Sequence, residues 1–212
     1  RTGLYRIVSL DVSAVSPPSS PPGDEVNEAF RSVIAALTSL LPNLRAINLS
    51  NIALEETEAL FGFHEMFRSN SFLEKVTWNK SHNLTVEMLE FRHCTNLREV
   101  YMDNSCFIID TNHLLHRASD LALIADDADI DQANANNNEF VFSCFTSIER
   151  LSIRNAKIDN GWNQGVMAIP QRALVKFVRK APPSLKWFRS DLTTANIAKL
   201  RQERPGIELL NC

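Results

Sequence analysis

Apolar residues recur along this chain in a six-residue phrase whose first, fourth and sixth positions are apolar. A clear copy runs from Leu44 through Ile47 to Leu49. This alternation predicts short β-strands, because successive side chains of a strand point to opposite faces. Aligned on their first apolar residue, the copies start at Ile7, Leu44, Leu73, Leu97, Ile148, Leu185 and Ile207.

Between the phrases, apolar residues recur every three or four positions, as on one face of a helix. Proline marks the return to strand at Pro42, Pro182 and Pro205. The pattern predicts helices over Glu28–Leu41, Glu55–Arg68, Thr85–His93, Gln171–Lys180 and Thr193–Gln202. Since no single unit of strand, loop and helix can bury its apolar residues alone, we expect residues 1–212 to form one domain of stacked units.

Three stretches lengthen the distance between phrases and are predicted to be insertions. The first, about 16–26, is rich in proline and serine, and the second, 110–138, ends in aspartate and asparagine residues. The third, 159–169, contains Gly161 and Gly165. All three follow a strand phrase and precede the next helix, so we expect them on the same rim of the molecule.

The repeated phrase and its helix resemble the leucine-rich-repeat superfamily, and the helix-bearing repeats are most similar to the ribonuclease-inhibitor type. The closing segment, 183–192 running on to 200–207, resembles uncharacterised leucine-rich-repeat proteins of diatoms. The resemblance implies an α/β fold, a right-handed solenoid with parallel strands on its concave face and helices on its convex face. It also implies protein binding as the commonest role, although a fold does not determine a function.

One feature departs from the superfamily, which usually places an asparagine three positions after the third leucine. Here Asn51, Asn104 and Asn155 arrive one position early, and Lys80 replaces the asparagine in the third copy. The regular ladder of asparagine side chains is therefore in doubt, and with it the curvature that the resemblance implies.

If the apolar positions of each strand point inward, the alternate residues form three outward columns. The first column is predicted to hold Ser9, Ala46, Lys75, Glu99, Arg150 and Trp187. The middle column holds Asp11, Asn48, Thr77, Tyr101, Ser152 and Arg189. The third column holds Ser13, Ser50, Asn79, Asp103, Arg154 and Asp191.

The C-terminal half of these columns carries the residue types that dominate protein interfaces, namely tyrosine, tryptophan and arginine. The predicted partner-binding residues are Lys75, Glu99, Tyr101, Asp103, Arg150, Arg154, Trp187 and Arg189. The other interpretation is that Glu99, Asp103, Arg150 and Arg154 pair with one another across adjacent strands.

The sequence predicts a non-catalytic module that binds another protein, of unknown identity, on its concave sheet. The alternative is a structural subunit or fragment of a larger assembly that contacts its neighbours through convex helices or rim insertions. No G-x-S-x-G, H-E-x-x-H or phosphate-binding glycine loop is found. We therefore predict no enzyme activity and no cofactor.

The net charge and the cysteine content indicate which classes of partner and which cellular compartment to expect. The net charge of -3 argues against a nucleic-acid partner, which usually requires a strongly basic face. No apolar run is long enough to cross a bilayer. Four cysteines form no C-x-x-C pair, which favours reduced, packed thiols and a reducing intracellular compartment, with Cys94 buried before its strand.

Two patterns resemble metal sites but are incomplete. Asp127, Asp129 and Asp131 match the start of an EF-hand loop, yet the loop would need glycine and glutamate where Gln132 and Asn138 stand. His113 and His116 offer two ligands, whereas a zinc site needs at least three. The sequence therefore predicts no metal site.

Overall fold

The computed structural model describes residues 9–13, 41, 43–51, 67–68, 70–82, 91–108, 146–159 and 166–211. The predicted insertions 16–26 and 110–138 lie outside these residues, as does the body of each of the first three predicted helices. Phe67 and Arg68, at the end of the second, are helical, and Phe91–His93, at the end of the third, form a 3₁₀ turn.

Two β-sheets and two α-helices make up the regular structure of the described residues. The ten strands are β1 Ser9–Asp11, β2 Ala46–Asn48, β3 Lys75–Thr77, β4 Glu99–Tyr101, β5 Cys106–Ile108, β6 Arg150–Ser152, β7 Lys157–Asp159, β8 Val166–Ala168, β9 Trp187–Arg189 and β10 Glu208–Leu210. The larger sheet has the order β1-β2-β3-β4-β6-β9-β10, with every neighbouring pair parallel. The α/β class and the parallel sheet predicted from the sequence are confirmed.

The register of the larger sheet confirms the predicted first column. Ala46 pairs with Lys75, Lys75 with Glu99, Glu99 with Arg150 and Arg150 with Trp187. Equivalent positions of the phrase therefore lie side by side, so the outward residues do form continuous columns across six strands.

The last strand departs by one residue from the predicted alignment. Glu208 pairs with Trp187 and Leu209 with Phe188. Trp187 is the third residue of its phrase, so Glu208 is also a third residue and the last phrase starts at Gly206. The prediction that it starts at Ile207 is therefore wrong. Ile207 and Leu209 are both buried, so their apolar character alone does not distinguish the two registers.

The inward side chains of the larger sheet form the core. In β2, β3, β4, β6 and β9 of this sheet the strand centre is apolar and at most 2% exposed; these centres are Ile47, Val76, Val100, Leu151 and Phe188. Burying such a side chain stabilises the fold by about 1.5–3 kcal/mol relative to leaving it in water. The apolar positions of the phrase therefore indicate both where each strand lies in the sequence and which of its side chains point into the core.

Two predicted helices are confirmed by α1, Gln171–Lys180, and α2, Thr194–Glu203. The hydroxyl oxygen of Thr193 accepts a hydrogen bond from the Asn196 amide at the start of α2, as an N-cap residue does. At the C-terminal end of α1, the guanidinium of Arg204 donates hydrogen bonds to the carbonyl oxygens of Val178 and Arg179 at 3.0 and 2.9 Å. The guanidinium that follows α2 thus caps the C-terminus of α1.

The early asparagines are turn residues. Asn51, Asn104 and Asn155 have φ of 66°, 57° and 53°, and Lys80 occupies the same place with φ of 55°. This left-handed conformation is tolerated best by glycine and asparagine. The backbone of the turn therefore explains why asparagine occurs at three of these four positions.

A smaller sheet continues from these turns. β5 pairs with β7 in parallel, and β7 pairs with β8 antiparallel. β8 lies inside the predicted insertion 159–169, so part of that insertion is a strand rather than a loop. Residues 160–165, which join β7 to β8, lie outside the described residues.

Candidate functional site

The outer face of the larger sheet, opposite the core, carries the predicted columns. Its C-terminal half holds an aromatic pair: the ring centroids of Tyr101 and Trp187 are 6.2 Å apart. The guanidinium carbon of Arg150 lies 4.7 Å from the centroid of Trp187, and that of Arg189 lies 5.8 Å from it. Both distances are within the range of a cation–π contact.

Trp187 is 9% exposed, which corrects the expectation that its side chain is open on this face. The physical reason is its neighbours: Arg150 stacks on the ring, and Tyr101 and Arg189 approach it. What the cluster presents to solvent is the guanidinium of Arg150, which is exposed, and part of the Tyr101 ring.

Lys75, Glu99 and Tyr101 form a second group beside this cluster. Lys75 Nζ lies 3.3 Å from Glu99 Oε2 and 5.1 Å from the centroid of the Tyr101 ring. The Tyr101 hydroxyl donates to Glu99 Oε2 at 3.2 Å. Glu99 is therefore satisfied on the side of β3 and makes no ion pair with Arg150, its neighbour on β6, in the described structure.

Asp103 is 7% exposed, which corrects its expected exposure. Its carboxylate pairs with Arg189, and its Oδ1 accepts hydrogen bonds from the Ser152 hydroxyl and, at 2.8 Å, from the Arg154 amide. Arg189 Nε donates to the Ser152 hydroxyl oxygen at 2.9 Å. Asp103 and Arg189 therefore satisfy each other across the intervening strand β6, whereas the cross-strand interpretation paired Asp103 with charged residues on adjacent strands.

The third column forms a hydrogen-bonded ladder that the sequence analysis missed. Asn79 N donates to the Ser50 hydroxyl oxygen at 3.1 Å, Asp103 N to Asn79 Oδ1 at 2.7 Å, and Arg154 N to Asp103 Oδ1 at 2.8 Å. Each side chain binds the backbone of the next strand. The signal for it was a column of short polar side chains in Ser50, Asn79 and Asp103.

A row of ion pairs precedes the strands of the larger sheet and was also missed. Arg45 pairs with Glu74 at 2.6 Å, and Glu149 pairs with both Arg98 at 2.8 Å and Lys186 at 3.0 Å. The hydrogen bond from Lys186, together with the positive charges of Lys186 and Arg98, lowers the pKa of Glu149 below its usual value. The alternating charges at this position of successive phrases were the available signal.

A cleft of about 800 Å³ lies beside the smaller sheet and is lined in part by His82, Cys106, Lys157 and Asp191. Burial, with a smaller contribution from the charge of Asp159, raises the pKa of the Cys106 thiol. The thiol is therefore protonated at neutral pH and is a poor nucleophile. Cys94 and Cys106 are both buried, which confirms the prediction that Cys94 packs in the core.

The sequence patterns that resembled metal sites, Asp127–Asp131 and His113–His116, lie outside the described residues. Among the residues that the structure does describe, no three His, Cys, Asp or Glu side chains are grouped so as to hold a metal ion. Within the same residues, no helix has the length and apolar character needed to cross a membrane.

Comparison of the chain with models of protein families and with curated proteins finds no match.

Proposed function

We propose that this chain is a right-handed leucine-rich-repeat solenoid that binds another protein on the concave face of its C-terminal repeats, without catalysis. The observation that carries the proposal is the cluster of Tyr101, Trp187 and Arg150 on the outer face of the sheet. These residue types supply large contact area and directional hydrogen bonds at interfaces.

The predicted binding residues divide into two roles. Lys75, Glu99, Tyr101, Arg150 and Arg154 carry accessible groups and would contact the partner. Trp187, Arg189 and Asp103 are held by their neighbours and would position the contacting groups. The ladder of the third column and the strand register support a surface that needs little ordering when it binds, which favours affinity.

The proposal is tested by capturing partners from native extract with three forms of the chain and identifying them by mass spectrometry. The face variant carries Tyr101→Ala and Arg150→Ala, and the matched control carries Lys180→Ala and Lys199→Ala on the exposed sides of α1 and α2. We expect a partner that the wild type and the control retain and the face variant loses. Capture of the same partners by all three forms would contradict the proposal.

The alternative function, a structural subunit that contacts neighbours through its rim, has one observation in its favour. Val166 and Met167 on β8 are 54% and 37% exposed, which is unusual for large apolar side chains. A chain with Val166→Ser and Met167→Ser should then lose its partners while the face variant keeps them. That pair of results would move the interface from the sheet to the rim.

A further inference from the structure

The charges on the outer face of the larger sheet are only partly paired with one another. Glu99 pairs with Lys75, and Asp103 pairs with Arg189. Within the described residues, Arg150 and Arg154 form no ion pair, although both side chains are exposed. In the part of the chain that the structure describes, two cations close together in sequence thus lack a carboxylate partner, on a protein whose net charge is -3.

Arg150 is held in place although no carboxylate of the described residues pairs with it. The register puts it between Glu99 on β4 and Trp187 on β9, and its guanidinium lies over the Trp187 ring at 4.7 Å. Stacking occupies a face of the planar guanidinium and leaves its N–H groups free in the plane. Those N–H groups match the two oxygens of a carboxylate in a bidentate pair.

We propose that the partner presents an acidic segment to this face, with an aspartate or glutamate carboxylate bound bidentately by Arg150 and a second acidic residue near Arg154. This inference rests on the proposed function and names the chemistry of the partner. Trp187 is a positioning residue in it, since its ring orients the guanidinium of Arg150.

The surrounding charges favour a protein carboxylate over a polyanion. Glu99 and Glu208 lie in the same column as Arg150, on either side of the Arg150–Trp187 pair. A phosphate backbone or an anionic membrane spreads negative charge over the whole face and would meet both glutamates. A single carboxylate on a protein segment meets less of this repulsion, because it engages Arg150 at one point and the neighbouring Glu99 is already paired with Lys75.

The test uses the full chain and an array of synthetic peptides in which every acidic sequence has a matched amide form, with Asp→Asn and Glu→Gln. The best binders are then measured in solution by fluorescence polarisation, beside a single-stranded oligonucleotide and vesicles containing an anionic phospholipid. Arg150→Lys keeps the positive charge but removes the planar guanidinium that stacks on Trp187 and can bind a carboxylate bidentately. Arg98→Lys is the matched control, since Arg98 is exposed and already pairs with Glu149.

We expect acidic peptides to bind and their amide forms to bind at least about tenfold more weakly, the loss of roughly one charge-assisted hydrogen bond. Arg150→Lys should weaken binding by a similar factor, while Arg98→Lys changes it less than about twofold because its ion pair is retained. Tyr101→Ala should also weaken binding, which places the peptide on the outer face.

Three results would overturn the inference, and they separate it from the proposed function. If peptides bind equally well in their acidic and amide forms and lose affinity with Tyr101→Ala, the outer face is still the binding site. The proposal that it recognises a carboxylate is then wrong. Tighter binding of the oligonucleotide or the vesicles than of any acidic peptide would assign the arginines to phosphate. Absence of any binding that depends on Tyr101 would count against both proposals.

Discussion

The carboxylate of Asp103 pairs with the guanidinium of Arg189 across the intervening strand β6, although 86 residues separate them in the sequence. Ser152 on β6 joins the pair, because its hydroxyl donates to Asp103 and accepts from Arg189. This relationship ties three strands together on the outer face and sets the positions of the side chains around Trp187.

Asp103→Ala should lower the free energy of unfolding by about 2–4 kcal/mol, since it leaves Arg189 and the Ser152 hydroxyl without their acceptor. Asp103→Asn keeps an oxygen for the Arg154 amide, so we expect a loss of only about 1–2 kcal/mol. Urea denaturation of both variants checks the order. Equal stability of Asp103→Ala and the wild type would mean that the contacts of Asp103 with Arg189 and Ser152 do not stabilise the fold.

Trp187→Ala should lower the free energy of unfolding by about 2–4 kcal/mol, because the ring is buried beneath its neighbours. Arg150→Ala, which removes an exposed guanidinium from the same stack, should cost less than about 1 kcal/mol. Thermal and urea denaturation of the two variants provide the comparison. Because Arg150→Ala is expected to change stability less than Trp187→Ala, Arg150 is the better position for testing binding. Similar losses of stability in both variants would contradict this expectation.

Stability at acid pH should depend on Glu149. Its pKa in the folded chain is lowered first by the hydrogen bond from Lys186 and then by the positive charges of Lys186 and Arg98. A lowered folded pKa stabilises the fold above the unfolded pKa, near the ordinary value of 4.5, and this contribution disappears as the pH falls through the folded pKa.

Glu149→Gln should therefore lower the urea midpoint at neutral pH and differ progressively less from the wild type below about pH 4.5, where the unfolded carboxyl starts to hold its proton. Urea titrations between pH 3 and pH 7 measure the effect. A difference that stays constant over this range would show that the ion pairs of Glu149 do not contribute. Glu208→Gln, an exposed glutamate on β10, is the control.

Arg204→Ala should destabilise the chain by about 1–2 kcal/mol, since three carbonyl groups at the end of α1 lose a charged donor. Lys199→Ala, on the exposed side of α2, is the matched control and should change the free energy of unfolding by less than about 0.5 kcal/mol. Amide hydrogen exchange should locate the loss at 178–181. Uniform exchange across both helices would contradict the assignment of Arg204 as a cap.

Lys80→Gly should stabilise the chain by about 1 kcal/mol, because Lys80 is the one non-asparagine among the described residues with a left-handed φ. Its side chain is exposed, so little packing is lost. Asn104→Ala should have the opposite sign, since alanine tolerates this conformation less well than asparagine. Melting temperatures of the two variants test the pair, and a lower value for Lys80→Gly would refute the expectation.

Local patterns predicted the strands and helices well where the structure describes them. The phrase specified the strands from β1 to β9 in the larger sheet with the correct register, because the alternation of apolar and polar residues is a property of neighbouring positions. Its failure at Ile207 and the unpredicted strand β8 have the same origin. Where two apolar residues compete for one place, or where strands form outside the phrase, as β5, β7 and β8 do, the phrase contains no deciding information.

By itself, the sequence determined which residues point outward in the strands of the larger sheet from β1 to β9, because that depends on the period of the strand alone. Only the tertiary structure decided which of those residues remain accessible. Trp187 and Asp103 share their columns with Arg150 and Arg154, yet the first two are buried and the last two exposed. The difference comes from side chains on strands that pack side by side but lie far apart in the chain, and their contacts follow from the fold.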